Sequence, residues 1–209
     1  MKPGSFKNFS IILLIVLVLT SLVIYEVSRK KAGLSDQNSE TPAENQTYMI
    51  FTTPDNKFSV AYPASWLGGE MVDVTKVVSE KTAEKYNLTI PFLVFGPNQI
   101  NQVSVMIYSF DAQKTLPEIM EVQIKDLEEN EGIKAKVLSQ GVGDKEAIVE
   151  MSYETQKYNL RSKERVFLTE SENGTIKGYW VSFMVLEDEW ESYQDMAGYV
   201  IGSAKMNIQ

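Results

Sequence analysis

The sequence predicts an α+β fold, an antiparallel β-sheet sandwiched by α-helices, preceded by one N-terminal transmembrane helix. Three observations predict it. Residues 9–25, FSIILLIVLVLTSLVIY, form an uninterrupted uncharged run. From residue 48 onward, apolar-alternating runs recur between Gly, Pro, Asn and Asp, the pattern of strands joined by hairpins. Two amphipathic stretches of helical period stand among them, and each must bury its apolar stripe against the sheet. The expected organisation is a short cytoplasmic N-terminus (1–8), a transmembrane signal anchor (9–28), a flexible linker (29–47) and the α+β domain (48–209).

The apolar run makes about 26 Å of helix, slightly short of a ~30 Å hydrocarbon core. Lys7 and Arg29 flank it and can snorkel to cover the difference. VIYEVSRKKAGLS offers no pair of small residues spaced for signal cleavage, so the segment is read as an uncleaved anchor. Lys2 and Lys7 favour a cytoplasmic N-terminus, and Arg29, Lys30 and Lys31 oppose it. Eight residues ahead of the run are too few to make a domain, so the long C-terminal part is expected outside. RKKAGLSDQNSETPAENQT, from Arg29 to Thr47, has one large aliphatic, Leu34, and no aromatic residue. It reads as a coil spanning on the order of 25 Å r.m.s..

Within the domain, YMIFTT and KFSVAYP are two strands around the turn residues PDN. IPFLVFGP and NQVSVMIYSF are two more, with Gly96-Pro97-Asn98 between them. Val103, Val105 and Ile107 share one face of the latter, with Met106 and Tyr108 opposite, so that strand is expected to be covered on both sides. The stretch from Met71 to Leu88 is ambiguous, weakly helical at EKTAEKY. Thr115-Leu116-Pro117-Glu118 is a capping box opening a helix with Leu116, Met120, Ile124 and Leu127 on its stripe and Gly132 at its end. AKVLSQ, EAIVEMSYE, RSKERVFLTES and KGYWVSFMVLE follow as strands, the last two joined through Asn173-Gly174. A final helix carries Trp190, Tyr193, Ala197, Val200 and Ala204 on one stripe, with Asp188 and Glu191 as its N-terminal cap.

Composition removes whole chemistries. The chain has no Cys and no His, which excludes disulfides, thiolate nucleophiles, zinc fingers and His-based catalytic triads. Residues 1–47 hold five Lys/Arg and four Asp/Glu, leaving fifteen against twenty-four and about −9 in the domain. An acidic body repels phosphate backbones, so no nucleic-acid partner is expected. GVGDKE lacks the third Gly and the helix of a phosphate loop and reads as a turn.

The acidic groups Glu128, Glu129 and Glu131, then Glu187, Asp188, Glu189 and Glu191, match no calcium loop. The second set sits at a helix start, where the dipole favours negative charge. Lys157 to Arg165, KYNLRSKER, can face anionic lipid or an acidic partner, though alternating charge on an exposed strand is the commoner use. No catalytic, metal or cofactor-binding residue is assigned, and no cofactor is expected.

FSVAYP followed by Trp66 resembles the N-terminal signature of PsbP-like proteins, F-S-hydrophobic-x-Y-P-x-x-W. GYWVSFMV, an acidic linker and WESYQDMAGYVIGSAK resemble the family's C-terminal aromatic strand and its helix ending near Ser-x-Lys. The resemblance covers residues 48–206 and implies an antiparallel sheet between helices with a non-catalytic role. The family's photosynthetic member helps a photosystem retain inorganic cofactors, and a fold relative binds a small GTPase; neither task carries over to a chain with no photosynthetic feature. Physically, Pro63 ends the strand and Trp66 folds back as an apolar plug, its rival role being the wall of a ligand pocket. The expected function is a membrane-tethered extracytoplasmic binding or assembly module whose partner is a protein or cell-envelope component. The alternatives are a carboxylate-dependent cell-surface hydrolase and a small-ligand-binding protein.

Overall fold

The computed structural model describes residues 46–71, 92–95, 103–112, 115–128, 133–155, 158–170 and 174–207. The anchor and nearly all of the linker, the ambiguous stretch after Met71, and Glu129, Glu131, Gly132, Lys157 and Asn173 lie outside them.

Where one sheet was expected, there are two. β1 (Tyr48–Thr52), β2 (Phe58–Pro63) and β10 (Lys205–Met206) form a three-stranded antiparallel sheet, with β2 in the middle. A seven-stranded sheet holds β3 (Leu67–Met71), β4 (Phe92–Phe95), β5 (Val103–Ala112), β6 (Ile133–Val142), β7 (Glu146–Thr155), β8 (Asn159–Glu170) and β9 (Ile176–Leu186). Its order is β3-β4-β5-β9-β8-β7-β6, antiparallel throughout. The last strand of the run thus pairs back to β5, inserting β9 between it and β8. β3 and β10 were not foreseen, one being short and glycine-rich and the other only two residues long.

The helices are α1 (Leu116–Glu128) and α2 (Trp190–Ser203), the latter entered through a 3-10 turn at Glu187–Glu189. Leu116 and Met120 of α1 pack with Val149, Met151, Tyr153, Val166 and Trp180 on one face of the large sheet. On the other face lie Trp190, Ala197 and Val200 of α2, packed with Phe58 and Val60 of β2 against Tyr179, Val181 and Phe183. The sheet is therefore covered by α1 on one side and by α2 beside the small sheet on the other. β9 is buried on both faces, and so is β5 at its described positions, Val105 and Ile107 in one cluster and Phe110 and Ala112 in the other. Each fully buried large side chain contributes ~1.5–3 kcal/mol, so β9 is the principal apolar element.

The FSVAYP motif has a geometric reason. The Thr53 N–H to Phe58 O bond (2.9 Å) and the Ala64 N–H to Thr47 O bond (2.8 Å) fix which β2 residues bond to β1. By the alternation of an antiparallel ladder, Ser59, Ala61 and Pro63 turn their backbone groups the other way. Ser59 pairs with Lys205 of β10. Ala61 N–H donates instead to Ser203 Oγ, at 2.9 Å. Pro63, with no N–H to donate, stands where the ladder has run out. Trp66 N–H then closes a turn onto Pro63 O at 3.1 Å.

Candidate functional site

Trp66 is 7% exposed, and its ring centroid lies 5.8 Å from that of Phe183. It belongs to the core cluster of the α2 side, which is the plug reading of this residue.

The basic run on β8 divides between the two faces of the sheet. Arg161 and Arg165 point towards α2 and hold its two ends. Arg161 donates through Nε to Glu150 Oε1 at 2.9 Å and through Nη1 to Glu187 Oε1 at 3.3 Å, with its guanidinium 4.6 Å from the Trp190 ring centre. Arg165 Nη1 donates to the carbonyls of Ile201, Gly202 and Ala204 at 3.3, 3.2 and 2.9 Å, and Nε donates to Glu146 Oε1 at 3.0 Å. Those carbonyls lie at the helix C-terminus, where cationic capping is most favourable. The run is thus no lipid-facing patch at its two arginines; it fastens α2 to the sheet.

The opposite face of β8 presents Ser162 and Glu164, both 0% exposed. Glu164 Oε1 accepts from Ser162 Oγ (2.7 Å), Tyr153 Oη (3.0 Å) and Ser182 Oγ (3.3 Å), and Oε2 accepts from Trp180 Nε1 (2.9 Å). No cation is among these partners. Burial raises the Glu164 pKa, and the hydrogen bonds from Ser162, Tyr153, Trp180 and Ser182 only partly oppose it. The neighbouring Tyr153 hydroxyl is pushed well above its usual range by burial and by Glu164.

Asp55 joins the two sheets at the β1–β2 turn. Oδ1 accepts from Thr53 Oγ1 (2.6 Å) and Lys57 N–H (3.2 Å), while Oδ2 accepts from Tyr179 Oη (2.5 Å) and Lys177 Nζ (3.3 Å). Partial burial pushes this carboxyl up, but the four donors more than offset it and hold the pKa at about 2. Asn56 beside it has φ 57°, the left-handed turn conformation that Asn tolerates.

The acidic residues before α2 do not converge. Glu187 goes to Arg161, Asp188 and Glu191 are exposed, and Glu189 is half-buried, its pKa raised by burial and then by Asp188. The expected Asp188–Glu191 cap is not formed: the helix begins at Trp190 after the 3-10 turn, with no side-chain cap bond. Among the described residues, no three Asp or Glu side chains are placed to share a metal ion. Nor, among them, is any helix long and apolar enough to cross a membrane.

A surface feature that the sequence reading passed over lies on β1. Ile50 is 72% and Met49 51% exposed, and Tyr199 of α2, with ring centroid 4.1 Å from Tyr48, is 52% exposed. Tyr48 and Ile50, two residues apart, share a strand face, so Tyr199, Tyr48 and Ile50 form one apolar strip. Its sequence signal was available: neither β1 nor β2 contains a charged residue.

No family model and no curated protein matches the chain. Solved structures do. Cyanobacterial PsbP (CyanoP) from Synechocystis aligns with a TM-score of 0.51 at 12% identity, covering 81% of this chain and 98% of its own. LpqN of Mycobacterium tuberculosis, involved in cell envelope biogenesis, aligns at 0.45 and 10% identity, covering 78% and 91%. The Saccharomyces cerevisiae Ran-binding protein Mog1p aligns at 0.49 and 8% identity, covering 77% and 96%. The CyanoP likeness shows the fold, the PsbP-like α+β architecture implied by FSVAYP and Trp66.

Proposed function

We propose that this protein is a membrane-tethered, extracytoplasmic, non-catalytic binding or assembly module. The observation that carries the reading is the uncharged, apolar first strand, with Ile50 72% exposed, standing directly after the linker. Exposed apolar strips on otherwise charged bodies are features of association. The prominent charged contacts hold the fold together instead: Arg161 and Arg165 hold α2, and Asp55 holds the hairpin. The hydrolase alternative needs an accessible carboxylate with a raised pKa. Glu164 has the raised pKa but is sealed at 0% exposure beneath its donors, out of reach of a polymer. Glu146 and Glu150 are each engaged by an arginine, Arg165 and Arg161, in the contacts that fasten α2 to the sheet.

The topology is tested on cells producing the full-length chain. Protease added outside should digest residues 48–209 and leave a short membrane-bound stub; a protected domain overturns the extracytoplasmic placement. A photocrosslinker placed at Ile50 should form protein adducts that one placed at Ile148 does not. Equal labelling from both positions would remove the strip as the binding surface.

A further inference from the structure

We infer that the free edge of β1 is a pairing site for a second copy of this chain, joining two small sheets into one through antiparallel β1–β1 contact. The inference rests on the tethered-module reading and names its first partner. The ladder parity established for β2 turns the backbone N–H and C=O groups of Tyr48, Ile50 and Thr52 away from it. Among the described residues no strand lies on that side, since β1 ends the small sheet.

The two edges of the large sheet are protected and this one is not. β3 carries a register shift between Gly68 and Glu70. β6 carries a shift between Val137 and Ser139, together with Lys134 and Lys136. Bulges and charges are the ordinary means of preventing edge-to-edge association. β1 has five regular pairs with β2, no shift, no proline and no charge.

A second copy suits this edge for three reasons. Centred on Ile50, the strand is self-complementary: Tyr48 meets Thr52 of the other copy, Ile50 meets Ile50, and all three outward-facing residues enter hydrogen-bonded pairs. Because neither β1 nor β2 is charged, two acidic bodies meet through their neutral strips. Finally, the two strand starts would lie roughly 15 Å apart, a span within the reach expected of the linker from its sequence, so both copies can be tethered to one bilayer. Five-residue pairing buries less than the ~1,200–2,000 Å² of a stable interface, so it needs the high effective concentration that a shared membrane supplies.

The absence of cysteine makes the test clean. Full-length Ile50→Cys, reconstituted in phosphatidylcholine liposomes, carries one thiol, and paired strands bring two such positions to a Cα separation of about 5.5 Å, within disulfide reach. Under mild oxidant it should dimerise at least tenfold faster than Ile148→Cys, an exposed control on β7. Adding Thr52→Pro, which removes an outward N–H that β2 does not use, should bring the rate down to the control. Equal rates at positions 50 and 148, or no effect of the proline, overturn the pairing. Flotation of the same liposomes reads the anchor separately. If the protein does not float, the tether reading fails, and a concentration series in solution must still show preference for position 50; no preference there overturns the pairing as well.

Discussion

Glu164 shows what a single buried carboxyl does to a sheet. Three hydroxyls and an indole N–H converge on it without a cation, tying β7, β8 and β9 together beneath α1. Its raised pKa fixes the sign of its pH effect. The folded state holds the proton above the ordinary Glu range of about 4.3, so the group's contribution is full below that range and declines as pH rises through the raised value. Glu164→Gln should therefore reduce the fall in unfolding midpoint between pH 5 and pH 8; an unchanged slope would show that Glu164 is not the titrating group. Gly178 carries a steric constraint on the same face. It pairs with Phe110 across β5–β9, and a Cβ there would meet the ring's Cζ at 2.2 Å. Because Phe110 is itself buried, Gly178→Ala should destabilise the domain by about 1–3 kcal/mol, measured by urea unfolding. Neither role was legible beforehand. NLRSKERVFLTE alternates cleanly, but both faces contain polar residues, so periodicity cannot say that Ser162 and Glu164 go inward while Arg161 and Arg165 lie under α2.

At the scale of elements, the molecule fastens its pieces with side chains placed at their ends. α2 is held at its start by Arg161 and at its finish by Arg165, four residues apart on one strand face. Arg165→Met keeps most of the apolar stem and loses the donors, leaving three carbonyls of the last turn and Glu146 without this partner. Loss of about 2 kcal/mol is expected, with faster amide exchange confined to residues 200–206; exchange spread evenly over the domain would argue against capping. The Asp55 contact behaves oppositely to Glu164 with pH. Its carboxyl sits at about 2, so its stabilisation is complete above the ordinary Asp range and is lost as pH falls through that value. Allowing for solvent screening at this exposed turn, Asp55→Asn should cost about 1 kcal/mol at pH 6 and almost nothing near pH 2, read by urea titration at both. Element identity was largely legible, because strand alternation and the stripe of Trp190, Tyr193, Ala197 and Val200 are local signals. Ends were less so. Ala204 follows α2 in extended conformation, and the capping box forms by half: Glu118 Oε2 accepts from Thr115 N–H (3.0 Å), while the Thr115 hydroxyl donates to the same oxygen (2.8 Å).

At the scale of the molecule, the two sheets are one cooperative body because both ends of the described chain meet in the smaller one. β2 lies between β1 and β10, and Asn207 extends the closure: its N–H donates to Lys57 O (2.8 Å), its Nδ2 donates to Asn56 O (3.0 Å) and its Oδ1 accepts from Ser59 Oγ (3.0 Å). Phe58 then stacks on Tyr179 at 5.5 Å and meets Phe167 at 5.7 Å, linking the small sheet to the centre of the large one. Such a closure is non-local, and a search for local pattern cannot find it; only the Ser-x-Lys resemblance hinted that the last residues matter. Truncation after Ala204 removes β10 and Asn207 but keeps Ser203, whose hydroxyl still serves Ala61 N–H. The expected result is a small sheet that opens ahead of the large one. Exchange at Ser59, whose pairing is to β10, should rise by at least a hundredfold, while amides of β8 and β9 retain their protection and α2 remains folded. Equal acceleration in β9 would mean that the tail supports the whole core, and an unaltered Ser59 would mean that the contacts of Phe58 alone hold the sheet. Because β1 is attached only through β2, early opening should also weaken pairing between two copies, so the truncated chain carrying Ile50→Cys should lose most of its positional preference in liposomes. Retention of that preference would show that the β1–β2 hairpin is a stable docking unit without the C-terminal closure.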